Sequence, residues 1–480
     1  MQYNESGRTG HNTRQARGAS APSSAKSPPR RNTAHRAQSS GNTQRVNYGQ
    51  PSVNRDGQRR APQNMSADTA TQKIDLRKLK RRFILTGSLD VPFIIIVLAL
   101  LTIGVLMMFS ASYTASYYKN DGDAFWFVKK QALFAVAGVI IMLIVSKIDY
   151  RIYNSGLTFL AVAVTFILLI VVLFMPARDG FRRWIYIGPA SFQPSEVAKF
   201  TLILLLAFII SRTQKYMRSN GKICFRAMLD QNLGPVWNNN ENGVIRQNFA
   251  LTVLYAMIIL IYAAFILLEK HLSCTVLILL IGMSMMWLGG VRRKWFILVG
   301  VLVAVVVVTI YLKPDILPEY ATERIVAWTD KSYSPQDKRW QINQSLNAIA
   351  SGGPFGLGFG NSRQKNLYVS EPQNDFIFAI VTEELGFVGA TAIILLFAAL
   401  VYRGAKIATN TKDVFGALLC MGIVLQIGIQ TALNIMVVTD TMPNTGISLP
   451  FFSYGGTSLV MLLAETGVVL SVSRRSNINR

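Results

Sequence analysis

One stretch of the sequence combines basic and acidic residues in a pattern suited to binding an anionic group. In RRWIYIGPASFQPSEVAKF, at 182–200, Arg182 and Arg183 are adjacent, and Glu196 and Lys199 follow at an i, i+3 spacing. Guanidinium groups match the oxygens of phosphate and pyrophosphate better than most other side chains do. Glu196 and Lys199 share one helix face and can neutralise each other. They form either a structural pair or the lining of a cavity for an anionic head group.

A second stretch, PQNDFIFAIVTEELGFVGATAIILLFAALVYR, begins at Pro372 and carries three acids ahead of its most apolar part. Asp375 comes first, and Glu383 and Glu384 follow further along. Charges in an apolar segment are costly and mark ion or substrate paths when they face a polar cavity. At helical spacing the three side chains point in different directions, so they do not share one task.

A third stretch, TMPNTGISLPFFSYGGTSLV at 441–460, interrupts an apolar segment with prolines and glycines. Broken helices let backbone groups and hydroxyls line a cavity; the hydroxyls here belong to Ser453, Tyr454, Thr457 and Ser458.

His271 is the one histidine outside the N-terminal region, which argues against a His-rich metal site and a Ser-His-Asp triad. As a solvated turn residue it needs no role, and a functional role stays open.

Composition indicates a polytopic membrane protein. The chain is 51% hydrophobic and 15% charged, with a mean hydropathy of +0.32, and it contains several apolar runs of about 20 residues, the length that a membrane helix needs. VPFIIIVLALLTIGVLMMFSA is continuously apolar and lacks the alternation of barrel strands. The three cysteines are far apart in sequence, which indicates neither a zinc cluster nor a disulfide framework.

Much of the net charge of +24 lies in the first part of the chain. Residues 1–82 hold 17 Lys/Arg against 4 Asp/Glu and almost no large aliphatic residues. Such a segment cannot bury enough apolar surface to offset its chain entropy, so we predict a disordered basic tail. Its last part, KIDLRKLKRR at 73–82, is typical of a juxtamembrane topology signal, and no folded nucleic-acid-binding module accompanies it.

The apolar runs predict ten membrane spans in residues 83–480, with both termini on one side. Basic residues cluster in the tail and in the connections on that side, which we therefore expect to be cytoplasmic. The opposite side receives a long polar loop, 313–374, between spans seven and eight, and a loop of this length usually serves a site. The predicted spans are 91–111, 126–147, 156–176, 191–211, 249–268, 272–290, 294–312, 375–402, 412–438 and 447–473.

Three motifs, in this order on a ten-span plan, resemble the SEDS family of FtsW, RodA and SpoVE proteins. They are RRWIYIGPASFQPSEVAK, GPFGLGFGNSRQKNLYVSEPQNDFIFAIVTEELGFVGA and PNTGISLPFFSYGGTSLV. The resemblance covers about 90–473 and implies a peptidoglycan glycosyltransferase that polymerises lipid II at the outer face of the bacterial cytoplasmic membrane. It also implies a class B penicillin-binding protein as transpeptidase partner. GNSRQKNLYVSEPQNDF is more similar to the division type, FtsW, which implies further division proteins as partners and a location at the septum.

The resemblance places the family's catalytic aspartate at Asp375 and its cavity-lining pair at Glu196 and Lys199. A carboxylate at the outer rim is suited to act as general base on a sugar hydroxyl. With Lys199, Arg182 and Arg183 are expected to stabilise the pyrophosphate.

The other expected substrate-binding residues are Lys365, Ser453, Tyr454 and Thr457. A divalent cation such as Mg²⁺ or Mn²⁺ could share the charge stabilisation, but the sequence shows no dedicated ligand set. Glu383 and Glu384 are expected to pack or to hydrogen-bond within a cavity.

The sequence also departs from the family pattern. Lys270 stands where the family usually has proline, which leaves the local turn open, and Asn374 replaces a threonine that is common before the aspartate. Within the family, a RodA-type elongation role or a SpoVE-type sporulation role stays possible. From another class, a lipid II flippase or transporter also fits a polar cavity among broken helices.

Overall fold

The computed structural model describes residues 87–177, 181–187, 190–217, 241–313, 319–329 and 338–476. The predicted tail, 1–82, lies outside the described residues. A short antiparallel hairpin pairs β1 (Ile185–Ile187) with β2 (Ala190–Phe192), with Ile185 opposite Phe192. The α-helices are α1 (Val91–Lys119), α2 (Trp126–Lys147), α3 (Leu157–Leu173), α4 (Pro194–Met217), α5 (Glu241–Leu268), α6 (Leu272–Gly289), α7 (Arg293–Leu312), α8 (Glu319–Thr329), α9 (Lys338–Gly352), α10 (Ile377–Thr409), α11 (Val414–Val438) and α12 (Gly456–Ser473).

Eight of the described helices are long and apolar enough to cross a membrane, namely α1, α2, α4, α5, α6, α10, α11 and α12. The helix α3 is apolar but has only 17 residues, and the 20-residue α7 occupies the seventh predicted span. Each of the ten predicted spans thus contains a helix. The prediction of an all-α polytopic membrane protein with about ten membrane helices is confirmed.

The described residues of the polar segment between α7 and α10 form two helices, α8 and α9. On α9, Ile342, Ser345 and Ala348 are buried and recur at helical spacing, so one face of a mostly polar helix packs against the protein. This packing places α9 alongside α10. The segment predicted as a loop therefore contains a helix that packs on the membrane bundle.

The helix α12 begins later than predicted, at Gly456 instead of 447. In the stretch that precedes it, Gly446 and Phe451 have positive φ values of 70° and 66°. A non-glycine residue rarely adopts this conformation, so the chain at Phe451 is fixed by its surroundings. Residues 443–455 therefore run as irregular backbone between α11 and α12.

The helix α10 breaks at Gly386, which has φ 70° and ψ −174°. The break leaves backbone groups without helical partners, and the loop after α9 supplies them. Leu357 N donates to Glu383 O at 3.0 Å, and Phe387 N donates to Gly353 O at 2.9 Å. Unpaired backbone groups at membrane depth are costly, so this loop is a structural part of the helix that it covers.

The helix α11 lies at the centre of the described bundle, and four helices, α4, α6, α10 and α12, pack on it. Small residues allow close approach: a Cβ at Gly422 would lie 2.4 Å from the Ile203 side chain and 2.9 Å from Met285. Gln426, Gln430 and Asn434 of α11 are also buried. These amides are spaced by four residues and therefore share one face of the central helix.

An ion pair closes the bundle at the end where α1 begins. The buried carboxylate of Asp90 caps α1 by accepting from Phe93 N at 3.0 Å. Arg403 binds the same carboxylate with two nitrogens, Nε at 2.9 Å and Nη2 at 2.8 Å. This two-point pair ties α1 to the end of α10 that is remote from Asp375.

Candidate functional site

Asp375 lies just before α10 and lines a cavity of about 180 Å³. Its backbone carbonyl accepts a hydrogen bond of 2.7 Å from Asn434 Nδ2, which ties it to the central helix. A Cβ at Gly446 would lie 3.4 Å from Asp375 Oδ2, so backbone approaches the carboxylate closely there. The cavity is lined by Arg324, Ala327, Gln341, Ile342, Asp375, Asn444 and Gly446.

Burial raises the pKa of Asp375 to about 6. The nearby charge of Glu371 acts in the same direction, whereas the Asp375 backbone N–H and the positive charge of Arg324 lower the pKa. The carboxylate is partly exposed at the cavity wall, with protein around the rest of it. A carboxylate with a pKa near 6 is ionised at neutral pH and is a better proton acceptor than an ordinary aspartate.

Sequence reasoning missed Arg324. It lies on α8, and its Nη1 donates to Asn444 O at 3.0 Å. The sequence shows it only as one charge in a segment of mixed charge. Its position at the cavity depends on how α8 folds back towards the connection between α11 and α12.

Glu196 and Lys199 form an ion pair of 2.9 Å on α4, as their spacing predicts. Lys199 is buried, and its Nζ also donates to Gln430 Oε1 at 3.1 Å. Gln430 in turn donates to Ser448 O at 2.9 Å. The pair lines a second, small cavity of about 20 Å³.

Glu465 of α12 lines the same small cavity, and sequence reasoning missed it too. It is 2% exposed and accepts a hydrogen bond of 2.8 Å from Gln426 Nε2. The sequence did indicate Glu465, because it is the single acid in the last apolar span and acids in such spans tend to face polar cavities.

Ser453, predicted to bind substrate, lines the small cavity. Its Oγ donates to Asn374 O at 2.8 Å and accepts from Leu449 N at 2.7 Å. The backbone of Tyr454 donates to Gln373 O at 2.8 Å. Residues 443–455 therefore connect the small cavity to the backbone that carries Asp375.

Of the other hydroxyl residues of this motif, Ser458 also lines the small cavity, whereas Tyr454 and Thr457 lie outside both linings. Tyr454 packs its ring edge-on against Phe127, with centroids 4.9 Å apart. Thr457 lies in the first turn of α12. Neither is among the described residues that line the two cavities.

Arg182 and Arg183 lie beside the hairpin and bind backbone carbonyls. Arg182 Nη1 donates to Leu173 O at 2.9 Å, and Arg183 Nη2 donates to Lys270 O. Neither arginine is among the described residues that line the two cavities. Lys270, where the sequence left the turn open, has a φ of 55° and closes a tight turn between α5 and α6.

The alternative in which His271 is a solvated turn residue is wrong, because only 8% of it is exposed. Its Nδ1 lies 3.4 Å from both Gln193 Nε2 and Ser195 Oγ. Burial, with the positive charges of Arg183, Lys199 and Arg324, holds the pKa of His271 well below its usual value. The imidazole is therefore neutral at physiological pH.

Glu269, two residues before His271, is fully buried. Neither of its carboxylate oxygens has a hydrogen-bond partner in the part of the chain that the structure describes. Burial raises its pKa to about 8, although the positive charge of Arg183 opposes this.

Lys365 lies in a buried ion pair and not among the described residues that line either cavity. Its Nζ is 2.9 Å from Glu384 Oε1 and also donates to Gly360 O at 2.6 Å. Ser110 Oγ of α1 binds both Glu384 oxygens at 2.6 and 2.8 Å, and Ser362 N donates to Oε1 at 3.3 Å.

Glu383 accepts from the next part of the same loop. Arg363 N donates at 3.0 Å, Gln364 N donates at 3.4 Å, and Ser362 Oγ donates as well. We call Glu383 and Glu384 the carboxylate clamp, because together they hold residues 360–365 against α10. The expectation that these acids pack or hydrogen-bond within the protein agrees with this geometry.

Among the described residues, no group of three or more His, Cys, Asp and Glu side chains is placed to hold a metal ion. Asp375 is the one carboxylate in the described lining of its cavity. The donor set here does not fit a dedicated protein site for a divalent cation. We derive no step through such an ion.

Comparison with known proteins identifies relatives along most of the chain. The model of the FTSW_RODA_SPOVE family, described as a cell cycle protein, matches residues 91–478. Stage V sporulation protein E of Bacillus subtilis (strain 168) is 38% identical over 393 residues, covering 81% of this chain and 98% of that protein. A probable peptidoglycan glycosyltransferase FtsW of Geobacter sulfurreducens is 32% identical over 391 residues, covering 80% and 95%.

Two solved structures share the fold. A chain from a peptidoglycan synthase complex, solved to address the coordination of polymerization and crosslinking, aligns with a TM-score of 0.61 and 24% identity, covering 81% of this chain and 98% of its own. The crystal structure of the rod shape determining protein RodA of Thermus thermophilus aligns with a TM-score of 0.54 and 24% identity, covering 81% and 98%. At this identity the likeness concerns the fold alone.

Proposed function

The chain belongs to the FtsW/RodA/SpoVE family, and from that premise we propose that it is a peptidoglycan glycosyltransferase that polymerises lipid II. The observation that carries the proposal is Asp375, a carboxylate with a raised pKa that lines a cavity beside Arg324. Lipid II is a disaccharide pentapeptide linked to undecaprenyl pyrophosphate. Its sugars lie at the membrane surface, and its reaction needs a base and a site for a leaving anion.

Asp375 acts as the general base in this proposal. It takes the proton of the acceptor sugar hydroxyl while that oxygen bonds to the anomeric carbon of the donor. The bond from that carbon to the lipid-linked pyrophosphate breaks, and the pyrophosphate leaves with the electron pair. A base with a pKa near 6 combines a large ionised fraction at neutral pH with a useful affinity for the proton.

Positive charge stabilises the leaving pyrophosphate. Arg324 is the cation in the described lining of the Asp375 cavity. Lys199, Arg182 and Arg183 stay our further candidates for this role. Lys199 lines the small cavity, and the two arginines lie at the hairpin that precedes α4. Lys365 of the loop after α9 is also proposed to bind substrate. The same role is proposed for Tyr454 and Thr457, at the start of α12.

The partners and the location are proposed from the family. A class B penicillin-binding protein supplies the transpeptidase, and other division proteins join it at the septum. Several relatives named as FtsW support the division role, while the relative named stage V sporulation protein E supports sporulation as the alternative. An elongation role of the RodA type is the other alternative. The chain lies in the bacterial cytoplasmic membrane with both termini in the cytoplasm, as the basic segments indicate.

A lipid II flippase is the second candidate, and the small polar cavity of Glu196, Lys199 and Glu465 favours it. Charged groups that line a cavity between membrane helices are typical of transporters. A flippase moves lipid II without making a glycosidic bond. It therefore does not need Asp375 as a base.

The test is polymerisation of labelled lipid II by the full chain purified with a class B penicillin-binding protein. We expect glycan strands from the wild type and none from Asp375→Asn, which keeps the shape but cannot accept the proton. Asp123→Asn is the matched control, because Asp123 lies in an exposed pair with Lys129. Undiminished polymer from Asp375→Asn would refute the mechanism, and lipid II translocation in proteoliposomes without polymer would favour the flippase.

A further inference from the structure

The short helix α8 forms one wall of the Asp375 cavity through Arg324 and Ala327. These residues are three positions apart and share one helix face. Residues 314–318 and 330–337, on either side of α8, lie outside the described part of the chain. The side-chain contacts of α8 therefore show what holds this wall in place.

Arg339 of α9 joins three elements at one point. Its Nη1 donates to Ala327 O of α8 at 3.2 Å and to Asp440 Oδ1 at 3.1 Å, and its Nη2 lies 2.9 Å from Asp440 Oδ2. The pair is largely buried, with side-chain exposures of 5% for Arg339 and 13% for Asp440. A two-point guanidinium–carboxylate contact fixes both distance and orientation.

The backbone around Asp440 receives further contacts from α8. Trp328 Nε1 donates to Asp440 O at 3.1 Å, and Arg324 Nη1 donates to Asn444 O at 3.0 Å. Asp440 has a φ of 56°, a conformation that aspartate and asparagine tolerate better than most residues. The helix α8 therefore contacts residues 440–446, the segment that places Asn444 and Gly446 at the cavity.

We infer that the Arg339–Asp440 pair is a positioning device: it holds α8 against residues 440–446 so that the Arg324 guanidinium stays beside the Asp375 carboxylate. Neither residue of the pair lines the cavity, so the pair acts through Arg324. The inference rests on the proposed role of Asp375 as the base.

The pair has a specific consequence for proton transfer. The charged groups that face Asp375 among the described residues are Arg324 from α8 and Glu371 from the preceding loop. From α9, α11 and the 443–455 connection come neutral groups, Gln341, Asn434 and Asn444. If Arg324 withdraws while α8 still covers the cavity, Asp375 keeps the burial and the Glu371 charge that raise its pKa and loses the cation that lowers it, so the pKa rises further.

Activity then falls at the acidic side of the pH profile. The wild type should lose polymerisation as the pH falls through about 6, the pKa of Asp375. With the pair broken, we expect this acidic midpoint to move up by at most about half a pH unit, because Arg324 has the smallest of the four influences on this pKa, with a smaller effect above about pH 8.

The experiment measures lipid II polymerisation by the full chain and its transpeptidase between about pH 5 and about pH 9. Asp440→Asn removes the charge and suits the backbone at this position. Arg339→Lys keeps the charge but loses the two-point contact. Both should raise the acidic midpoint. Asp90→Asn is the control, because it breaks another two-point pair, with Arg403, at the opposite end of α10.

A double variant tests whether the shift of the acidic midpoint depends on Arg324. Arg324→Gln alone should raise the acidic midpoint. In that background, Asp440→Asn should add no further shift, because the cation that the pair positions is already absent. Hydrogen exchange of 319–329 should increase in Asp440→Asn and stay unchanged in Asp90→Asn, which reports the position of α8 independently of activity.

The outcomes are distinct. An equal loss of activity at every pH in Asp440→Asn and Arg339→Lys, or a full further shift in the Arg324→Gln background, would overturn the inference. If these variants do not fold, Trp328→Phe removes the hydrogen bond to Asp440 O but keeps an aromatic side chain, and it should give a smaller upward shift. An unshifted midpoint in Trp328→Phe overturns the inference as well. If Asp375→Asn is active, the proposed function fails. If it is inactive and the midpoint does not move, only the positioning role fails.

Discussion

Lys365 provides the sharpest test of how the carboxylate clamp holds the loop after α9. Lys365→Met removes the ammonium that lies 2.9 Å from Glu384 Oε1, and the pair is buried, with side-chain exposures of 7% and 0%. Breaking a buried ion pair costs about 3–5 kcal/mol, because the remaining charge loses its partner. Ser110 and the Gly360 and Ser362 amides still bind Glu384. We therefore take the lower value, about 3 kcal/mol.

A loss of about 3 kcal/mol raises the open population of the loop on the order of 100-fold. Arg363 reports this opening, since its side chain is exposed while its backbone N–H binds Glu383 at 3.0 Å. An arginine-specific protease can cut after Arg363 only when the loop leaves the clamp. When closing is faster than cutting, the cleavage rate follows the open population. We expect cleavage of Lys365→Met to be faster by about two orders of magnitude.

Lys129→Met is the matched control, because its pair with Asp123 is 3.0 Å long but exposed, at 68% and 38%. Such pairs contribute at most about 1 kcal/mol, so cleavage after Arg363 should stay near the wild-type rate. Adding Glu384→Gln to Lys365→Met should slow cleavage again, because no unpaired charge stays buried. Cleavage rates for Lys365→Met and Lys129→Met within about threefold of each other would refute the reasoning about the clamp.

Two further predictions concern stability. Glu269 has a native pKa of about 8 against an ordinary value of 4.5. The native state therefore loses stability progressively as the pH rises from about 4.5 to about 8, because the unfolded state releases the proton first. The stability of Glu269→Gln relative to the wild type should increase between about pH 5 and about pH 9 in thermal unfolding, and a difference that does not widen contradicts this. Gly356→Ala would place a Cβ 2.1 Å from the Glu384 carbonyl oxygen, whereas Gly353→Ala meets nothing within 4 Å. Both glycines have positive φ, so Gly353→Ala should cost about 1–2 kcal/mol and Gly356→Ala more than about 3 kcal/mol in unfolding measurements; equal costs would argue against the close approach.

The sequence was sufficient for the membrane helices, because continuous apolar runs have few structural solutions in a membrane. It also indicated the Glu196–Lys199 pair, since two residues at i, i+3 face the same way whatever surrounds the helix. It did not predict α8 and α9, which lie in the segment predicted as a loop. The sequence did not predict the contacts of segments that leave the helix bundle and fold back onto it. The pairing of Lys365 with Glu384 depends on a reversal of the loop over α10, and no periodicity encodes it.

Arg324 shows the same limit at the candidate site. Its position beside Asp375 depends on α8, on Arg339 of α9 and on Asp440 after α11, which are separated by long stretches of sequence. The pattern of charges in 313–374 gave no reason to prefer it over its neighbours. Glu465, by contrast, could have been predicted from the sequence. Like Glu383 and Glu384, it is an acid in an apolar span, and such acids tend to face polar cavities.

The carboxylate clamp also affects how freely the loop can vary in evolution. Glu383 and Glu384 bind backbone N–H groups of Gly360, Ser362, Arg363 and Gln364, and every amino acid except proline supplies such a group. Exposed side chains of this loop can therefore change without loss of the anchor. A lineage could remodel this outward surface to suit a new partner while the interior that supports it is inherited intact.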